Sequence, residues 1–164
     1  MSGRRVVRVG APLPGFARAE SSGGRTRLWD FKQRRPIVLA FPHQGECPLC
    51  RAWLAALAAH RAALADLDAA VLLVLPESLA RAREIQAALD LPFTPLADEG
   101  GAMRDVYGLE GGVGLYVADR YLHCLGAWRS PDADGLPALA EPLTLLLAAE
   151  QEDCGCGLPA WPEE

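Results

Sequence analysis

The sequence predicts an α/β fold: a central mixed β-sheet flanked by helices on both faces, with an N-terminal β-hairpin. Three observations lead there. Two continuous apolar runs, Pro36-Ile37-Val38-Leu39-Ala40-Phe41 and Ala70 to Leu75, read as strands covered on both faces. A helical stretch separates them, and such a strand-helix-strand crossover implies parallel pairing. Gly112 to Ala118 and Leu122 to Trp128, joined by the turn Asp119-Arg120-Tyr121, form a hairpin near the end of the chain. A chain of 164 residues is one domain's worth, assigned to residues 1–150, with 151–164 as a cysteine-containing tail.

In chain order, Val6 to Val9 and Thr26 to Trp29 read as short strands, joined through Pro12, Pro14 and the turn Ser21-Ser22-Gly23-Gly24. After the strand at Pro36–Phe41 comes a loop from Pro42 to Glu46, then Cys47-Pro48-Leu49-Cys50 and a helix to about Leu67. On a helical wheel Leu49, Trp53, Leu57, His60 and Leu64 share one sector, the expected core stripe. The strand Ala70–Leu75 and a helix over Glu77–Asp90 follow. Phe93–Leu96 reads as a short strand and Gly101–Tyr107 as a helical stretch, and a Leu- and Ala-rich helix over Leu136–Glu150 comes after the terminal hairpin. Gly100-Gly101 and Gly111-Gly112-Val113-Gly114 lack dinucleotide-loop spacing and read as turns.

Composition narrows the function. The chain is 51% hydrophobic and 23% charged, a globular and not a disordered balance. No apolar run approaches the ~20 residues that span a bilayer, and no signal peptide is visible, so no membrane association and a cytoplasmic location are expected. The net charge of −5 is unevenly spread: residues 1–35 hold nine cations and two carboxylates, the remainder seven arginines and 19 carboxylates. The arginines alternate with apolar residues or flank turns, the pattern of a solvated hairpin face, so no nucleic-acid partner is expected.

The five cysteines carry the chemistry: Cys47, Cys50, Cys124, Cys154 and Cys156. Cys47-x-x-Cys50 follows a buried strand and opens a helix, the setting for redox exchange. Pro48 suits the first helical position. Cys47 is then the N-cap, where free N–H groups favour a thiolate; Arg51 or a protonated His43 would act the same way and Glu46 the opposite. Cys50, in the first turn, can reach back to close a disulfide. Cys154-Gly155-Cys156-Gly157 reads either as a relay dithiol that re-reduces Cys47–Cys50 or as a solvent-facing pair without a role. The competing reading is a non-catalytic zinc or interaction module using Cys47, Cys50, Cys154 and Cys156. Cys124 and His60 read as core residues and His123 as solvated.

These residues resemble the peroxiredoxin-like branch of the alkyl hydroperoxide reductase/thiol-specific antioxidant (redoxin) family, nearly end to end. Val9-Gly10-Ala11-Pro12 and Phe16 resemble its opening, and Leu28-Trp29-Asp30-Phe31 with the strand to Phe41 its hairpin and first core strand. Phe41, Gly45, Cys47, Pro48, Cys50 and Arg51 match the pattern F-x-x-G-G-W-C-P-x-C-R. Pro95-Leu96-Ala97-Asp98 with Tyr107-Gly108-Leu109, and Tyr116-Val117-Ala118-Asp119-Arg120, are similar to its L-x-D…Y-G-V and F-V-I-D-R segments. The resemblance implies a thioredoxin-like fold and antioxidant thiol chemistry.

Two departures bear on mechanism. The family's P-x-x-x-T-x-x-C register puts Cys50 at the peroxidatic position and Cys47 where threonine belongs. The family's active-site arginine precedes the F-V-I-D strand, where this chain has Gly111-Gly112-Val113-Gly114, so no guanidinium is expected at the site. Thioredoxin's pre-strand proline and tryptophan are replaced by Val113 and Glu46. The expectation is a thiol-dependent oxidoreductase in which Cys47 attacks and Cys50 resolves. Its substrate is a disulfide or a peroxide, and an unspecified thiol is the electron donor. No cofactor or metal is expected, and a homodimer is left open.

Overall fold

The computed structural model describes residues 7–20, 22–43 and 47–154. In chain order the first elements are β1 (Ala17–Ala19), β2 (Arg25–Arg27), β3 (Ile37–Phe41), α1 (Pro48–Ala59) and α2 (Arg61–Asp66). Next come β4 (Ala70–Leu75), α3 (Leu79–Ala88), β5 (Pro95–Ala97) and α4 (Ala102–Val106). The chain closes with β6 (Val113–Ala118), β7 (Cys124–Ser130) and α5 (Ala140–Cys154).

Five strands form one mixed sheet in the order β5-β4-β3-β6-β7. β4 runs parallel to β3 and β5, while β6 runs antiparallel to β3 and β7. β3 is central, and all five of its residues are buried, as its unbroken apolar run requires. Val38 and Ala40 face a layer that includes Leu57 of α1, Ile85 of α3 and Leu146 of α5. Ile37, Leu39 and Phe41 face Met103 of α4 together with Leu13 and Leu28 from the N-terminal segment. Helices therefore cover both faces, but unequally. This is the expected mixed α/β architecture.

The N-terminal hairpin pairs different residues from those expected. β1 pairs with β2 around Arg18 opposite Thr26, and of β2 only Thr26 is buried. Residues 7–9 form no strand, Val6 lies outside the described residues, and Leu28–Phe31 coils into a 3-10 turn. Pro12 and Pro14 lack the N–H groups that a ladder needs. The segment before β1 instead lies along β7, where the Gly10 N–H donates to the Cys124 carbonyl and the Cys124 N–H to that of Ala11, both at 2.8 Å.

The single helix expected up to Leu67 is broken at His60 (φ −91°, ψ 8°), which ends α1 and begins α2. Its buried stripe is Cys50, Trp53, Leu54 and Leu57, continued by Leu64. Leu49 is 40% exposed and His60 only half-buried, so the stripe is rotated by about 50° toward Cys50 relative to the expected one. α5 begins later than Leu136 and runs through Cys154, with Pro142 in its first turn, where a missing N–H costs no bond. Among the described residues no helix is long and apolar enough to cross a membrane.

Candidate active site

The site forms where central β3 hands over to α1. Below it, the rings of Phe41, Tyr107 and Tyr116 pack against one another, with Phe41–Tyr107 and Tyr107–Tyr116 centroids 5.1 Å apart. The Tyr107 hydroxyl donates to the Pro14 carbonyl at 2.8 Å and the Tyr116 hydroxyl to the Tyr107 carbonyl at 3.1 Å. The strand end is thereby anchored. Two residues beyond Phe41, the His43 backbone N–H donates to Cys50 Sγ at 3.3 Å.

Cys47 is the N-cap of α1 and Pro48 stands in its first turn, as the sequence implies. The Cys47 carbonyl accepts the first helical bond, from the Arg51 N–H at 2.9 Å. Cys47 Sγ is half-buried and lies 4.0 Å from His43 Nδ1. Its thiol is lowered to about 7, first by the His43 side chain, then by the Cys50 and Leu49 N–H groups and the Cys50 thiol, with partial burial opposing. Its sulfur makes no formal capping bond, so those amides act as oriented dipoles. Arg51 sits on the exposed side of the first turn and is not among the groups that lower this thiol.

Cys50 is fully buried, and both cysteines are thiols. His43, Cys47 and Cys50 offer three N/S donor atoms within 4.8 Å of one another, a partial set that suits a soft cation such as zinc. Among the described residues the third donor beside the two thiols is His43; the four-thiolate alternative also needs Cys154 and Cys156. Cys154 ends α5 but its side chain, like Cys156, lies outside the described residues. Elsewhere, Cys124 is buried, its thiol pushed up by desolvation, and His60 Nδ1 lies 2.8 Å from the Ala56 carbonyl oxygen. His123 is exposed beside Asp119 at 3.7 Å. None of these three belongs to the site.

Sequence reasoning missed one group. Arg104, on α4, is 6% exposed and reaches under the β3–α1 junction, its guanidinium carbon 6.0 Å from the Phe41 ring centre. Its Nη1 donates to the Gly112 carbonyl at 2.8 Å, while Nε and Nη2 are buried with no hydrogen-bond partner among the described residues. Burial works against its charge, and the Asp98 carboxylate and the Cys50 sulfur work for it. The glycine stretch expected to leave the site without a guanidinium therefore receives one from α4. In that stretch Gly112 and Gly114 have no room for a side chain: a Cβ on Gly112 would lie 2.5 Å from the Ser130 carbonyl oxygen, and one on Gly114 2.7 Å from Leu109 Cδ2.

With a polarised thiol, a buried second thiol and a buried cation assembled on this sheet, comparison with known proteins is decisive. The model of the AhpC/TSA family matches residues 9–121. The chain belongs to the AhpC/TSA family. Its fold is that of solved peroxiredoxins. Peroxidoxin BcpB from Mycobacterium tuberculosis is 17% identical with a TM-score of 0.77, over 87% of this chain and 97% of that one. The reduced 2-Cys peroxiredoxin of Plasmodium vivax is 15% identical with a TM-score of 0.79, over 90% and 84%. A yeast mitochondrial 1-Cys peroxiredoxin, described with glutathione/thioredoxin systems, is 13% identical with a TM-score of 0.77, over 91% and 79%. No curated protein matches by sequence. As an AhpC/TSA member the chain is a thiol-dependent oxidoreductase of the peroxiredoxin-like class.

Proposed function

We propose that the chain reduces peroxides with the Cys47/Cys50 dithiol, Cys47 attacking and Cys50 resolving. The observation that carries this reading is the pair's asymmetry: Cys47 is half-exposed and lowered to about 7 beside His43, whereas Cys50 is buried three residues on. A thiolate at ambient pH attacks, and a neighbour held back from solvent closes the disulfide. The Cys47 thiolate displaces hydroxide or alkoxide from the peroxide; the leaving oxygen takes a proton, and Cys47 becomes a sulfenic acid. The Cys50 thiolate then attacks that sulfur, hydroxide leaves as water after protonation, and the S–S bond forms. The dithiol has given two electrons, which an external thiol donor returns in the cytoplasm. Cys154 and Cys156 stand as a relay for that return.

The test is a single turnover of the reduced protein with equimolar hydrogen peroxide, followed by thiol counting and peptide mapping. Loss of two thiols and a Cys47–Cys50 disulfide, both abolished by Cys47→Ser, is the expected result. Unchanged thiols would sink the reading. The His43–Cys47–Cys50 donor set favours a second reading, zinc binding in place of turnover. Stoichiometric zinc in the purified protein, with both thiols protected from alkylation, would establish it instead.

A further inference from the structure

The three donor atoms at the β3–α1 junction stand close to the geometry of a bound metal. Zinc bonds sulfur at about 2.3 Å and imidazole nitrogen at about 2.0–2.1 Å, so a tetrahedral site holds two sulfurs about 3.8 Å apart and a sulfur about 3.5 Å from a nitrogen. Here Cys47 Sγ lies 4.0 Å from His43 Nδ1. One donor atom from each of His43, Cys47 and Cys50 lies within 4.8 Å of the other two. Closing the set asks for a contraction of roughly 1 Å, which small side-chain rotations supply.

The backbone already holds the donors in place. Cys47 caps α1, Cys50 lies buried in its first turn, and His43 comes from the chain leaving β3. The His43 N–H donates to Cys50 Sγ at 3.3 Å, the kind of outer hydrogen bond that orients a metal's sulfur ligand. Charge balances as well: two thiolates neutralise a divalent zinc ion, so the buried Cys50 sulfur joins a neutral set. The number of ligands decides how firmly the ion is held. Structural zinc is closed by four protein ligands, whereas three leave a position for water. No fourth ligand joins these three among the described residues. Two of the three are the sulfurs that the dithiol chemistry oxidises.

We propose that His43, Cys47 and Cys50 form a redox-gated zinc site: the ion caps the reduced dithiol, and oxidation of the two sulfurs ejects it. The inference rests on the dithiol reading above and joins to it the zinc set that stands there as its rival. With a peroxide as oxidant, Cys47 and Cys50 give up two electrons and their S–S bond forms. The O–O bond breaks, and its two oxygens take those electrons and two protons, leaving as two waters, or as water and an alcohol. Zinc departs with its charge unchanged. A disulfide sulfur is no longer a thiolate, so His43 alone remains and one imidazole does not retain the ion. Re-reduction by the external thiol restores both sulfur ligands.

The experiment loads the full-length reduced chain with zinc ion, adds equimolar hydrogen peroxide, and follows free zinc with a chromogenic chelator while counting thiols. One zinc bound per chain, and one released for every two thiols lost, is the expected result. His43→Ala and Cys50→Ser should each weaken binding by at least about tenfold. Cobalt(II) in place of zinc should show thiolate-to-metal absorption that vanishes on oxidation. Zinc binding unchanged in the Cys47→Ser, Cys50→Ser double variant overturns the proposal, as does zinc retained once the disulfide has formed. Zinc-loaded thiols left intact by peroxide that oxidises the metal-free chain overturn it too, and leave a plain metal clamp. Should the serine variants fail to fold, the unmodified chain decides: equal zinc affinity before and after oxidation overturns the inference, and loss of affinity supports it. If peroxide leaves even the metal-free thiols unchanged, it is the peroxide reading that fails. Diamide, which oxidises dithiols to disulfides, then takes its place: zinc release in step with disulfide formation still supports the gate, and retention overturns it.

Discussion

His43 acts on the site twice, through two different atoms. Its backbone N–H faces Cys50 and its ring faces Cys47, so a substitution separates the roles: His43→Ala keeps the first and removes the second. Because the ring is the largest cause lowering Cys47 from the thiol value of 9.0 to about 7, its loss must raise the pH at which Cys47 becomes a thiolate. The sign follows directly. In the unmodified chain alkylation of Cys47 rises as pH passes through about 7 and then levels off. In His43→Ala that rise moves to higher pH, and the rate at pH 7 falls about tenfold for each unit of displacement. A pH-rate profile with mass-spectrometric assignment of the labelled cysteine checks this. Cys50 reacting faster than Cys47 near neutral pH would reverse the assignment of roles and restore the family's register.

At the scale of elements, α4 is too short to hold itself together, since five-residue helices are marginal without help. Asp98 supplies that help. With its side chain 1% exposed, it accepts from the N–H groups of Met103 and Arg104 and pairs with Arg18. Asp98→Ala should therefore cost about 3–5 kcal/mol, the range for breaking a buried charge pair, measured by urea unfolding. The approach of β6 to β7 is equally unforgiving. Gly112→Ala places a Cβ against the Ser130 carbonyl oxygen at 2.5 Å, and the backbone itself must shift. A loss of about 1–3 kcal/mol is expected, again by urea unfolding, and a neutral result would mean that this loop yields freely.

For the whole molecule, the question is whether the C-terminal cysteines reach the site. The tail assigned to residues 151–164 begins inside α5, which runs through Cys154. A helical residue advances ~1.5 Å and an extended one ~3.4 Å, so residues 151–154 span less than the same length of extended chain. Replacing Cys154 and Cys156 together with serine should leave a single peroxide turnover intact and slow only re-reduction. If the double variant unfolds, or releases one equivalent of zinc, the tail is a structural clamp and the relay is wrong.

The sequence by itself determined the framework and the thiol pair. The unbroken apolar runs at 37–41 and 70–75 could only be strands buried on both faces, and Pro48 after Cys47 could only open a helix with a sulfur at its cap. Those signals are local, because periodicity and capping depend on neighbours in the chain. Its errors came where packing overrode local pattern: the hairpin moved to Ala17–Ala19, and the α1 stripe turned from Leu49 toward Cys50. Only the tertiary structure decided what stands beneath the thiols. Arg104 lies 54 positions after Cys50, and the sequence offers no periodic sign that an arginine between Met103 and Asp105 points inward. The burial that brings it under β3 depends on α4 packing beneath Phe41 while the Gly112 carbonyl turns to meet it, contacts that no single segment of the chain contains.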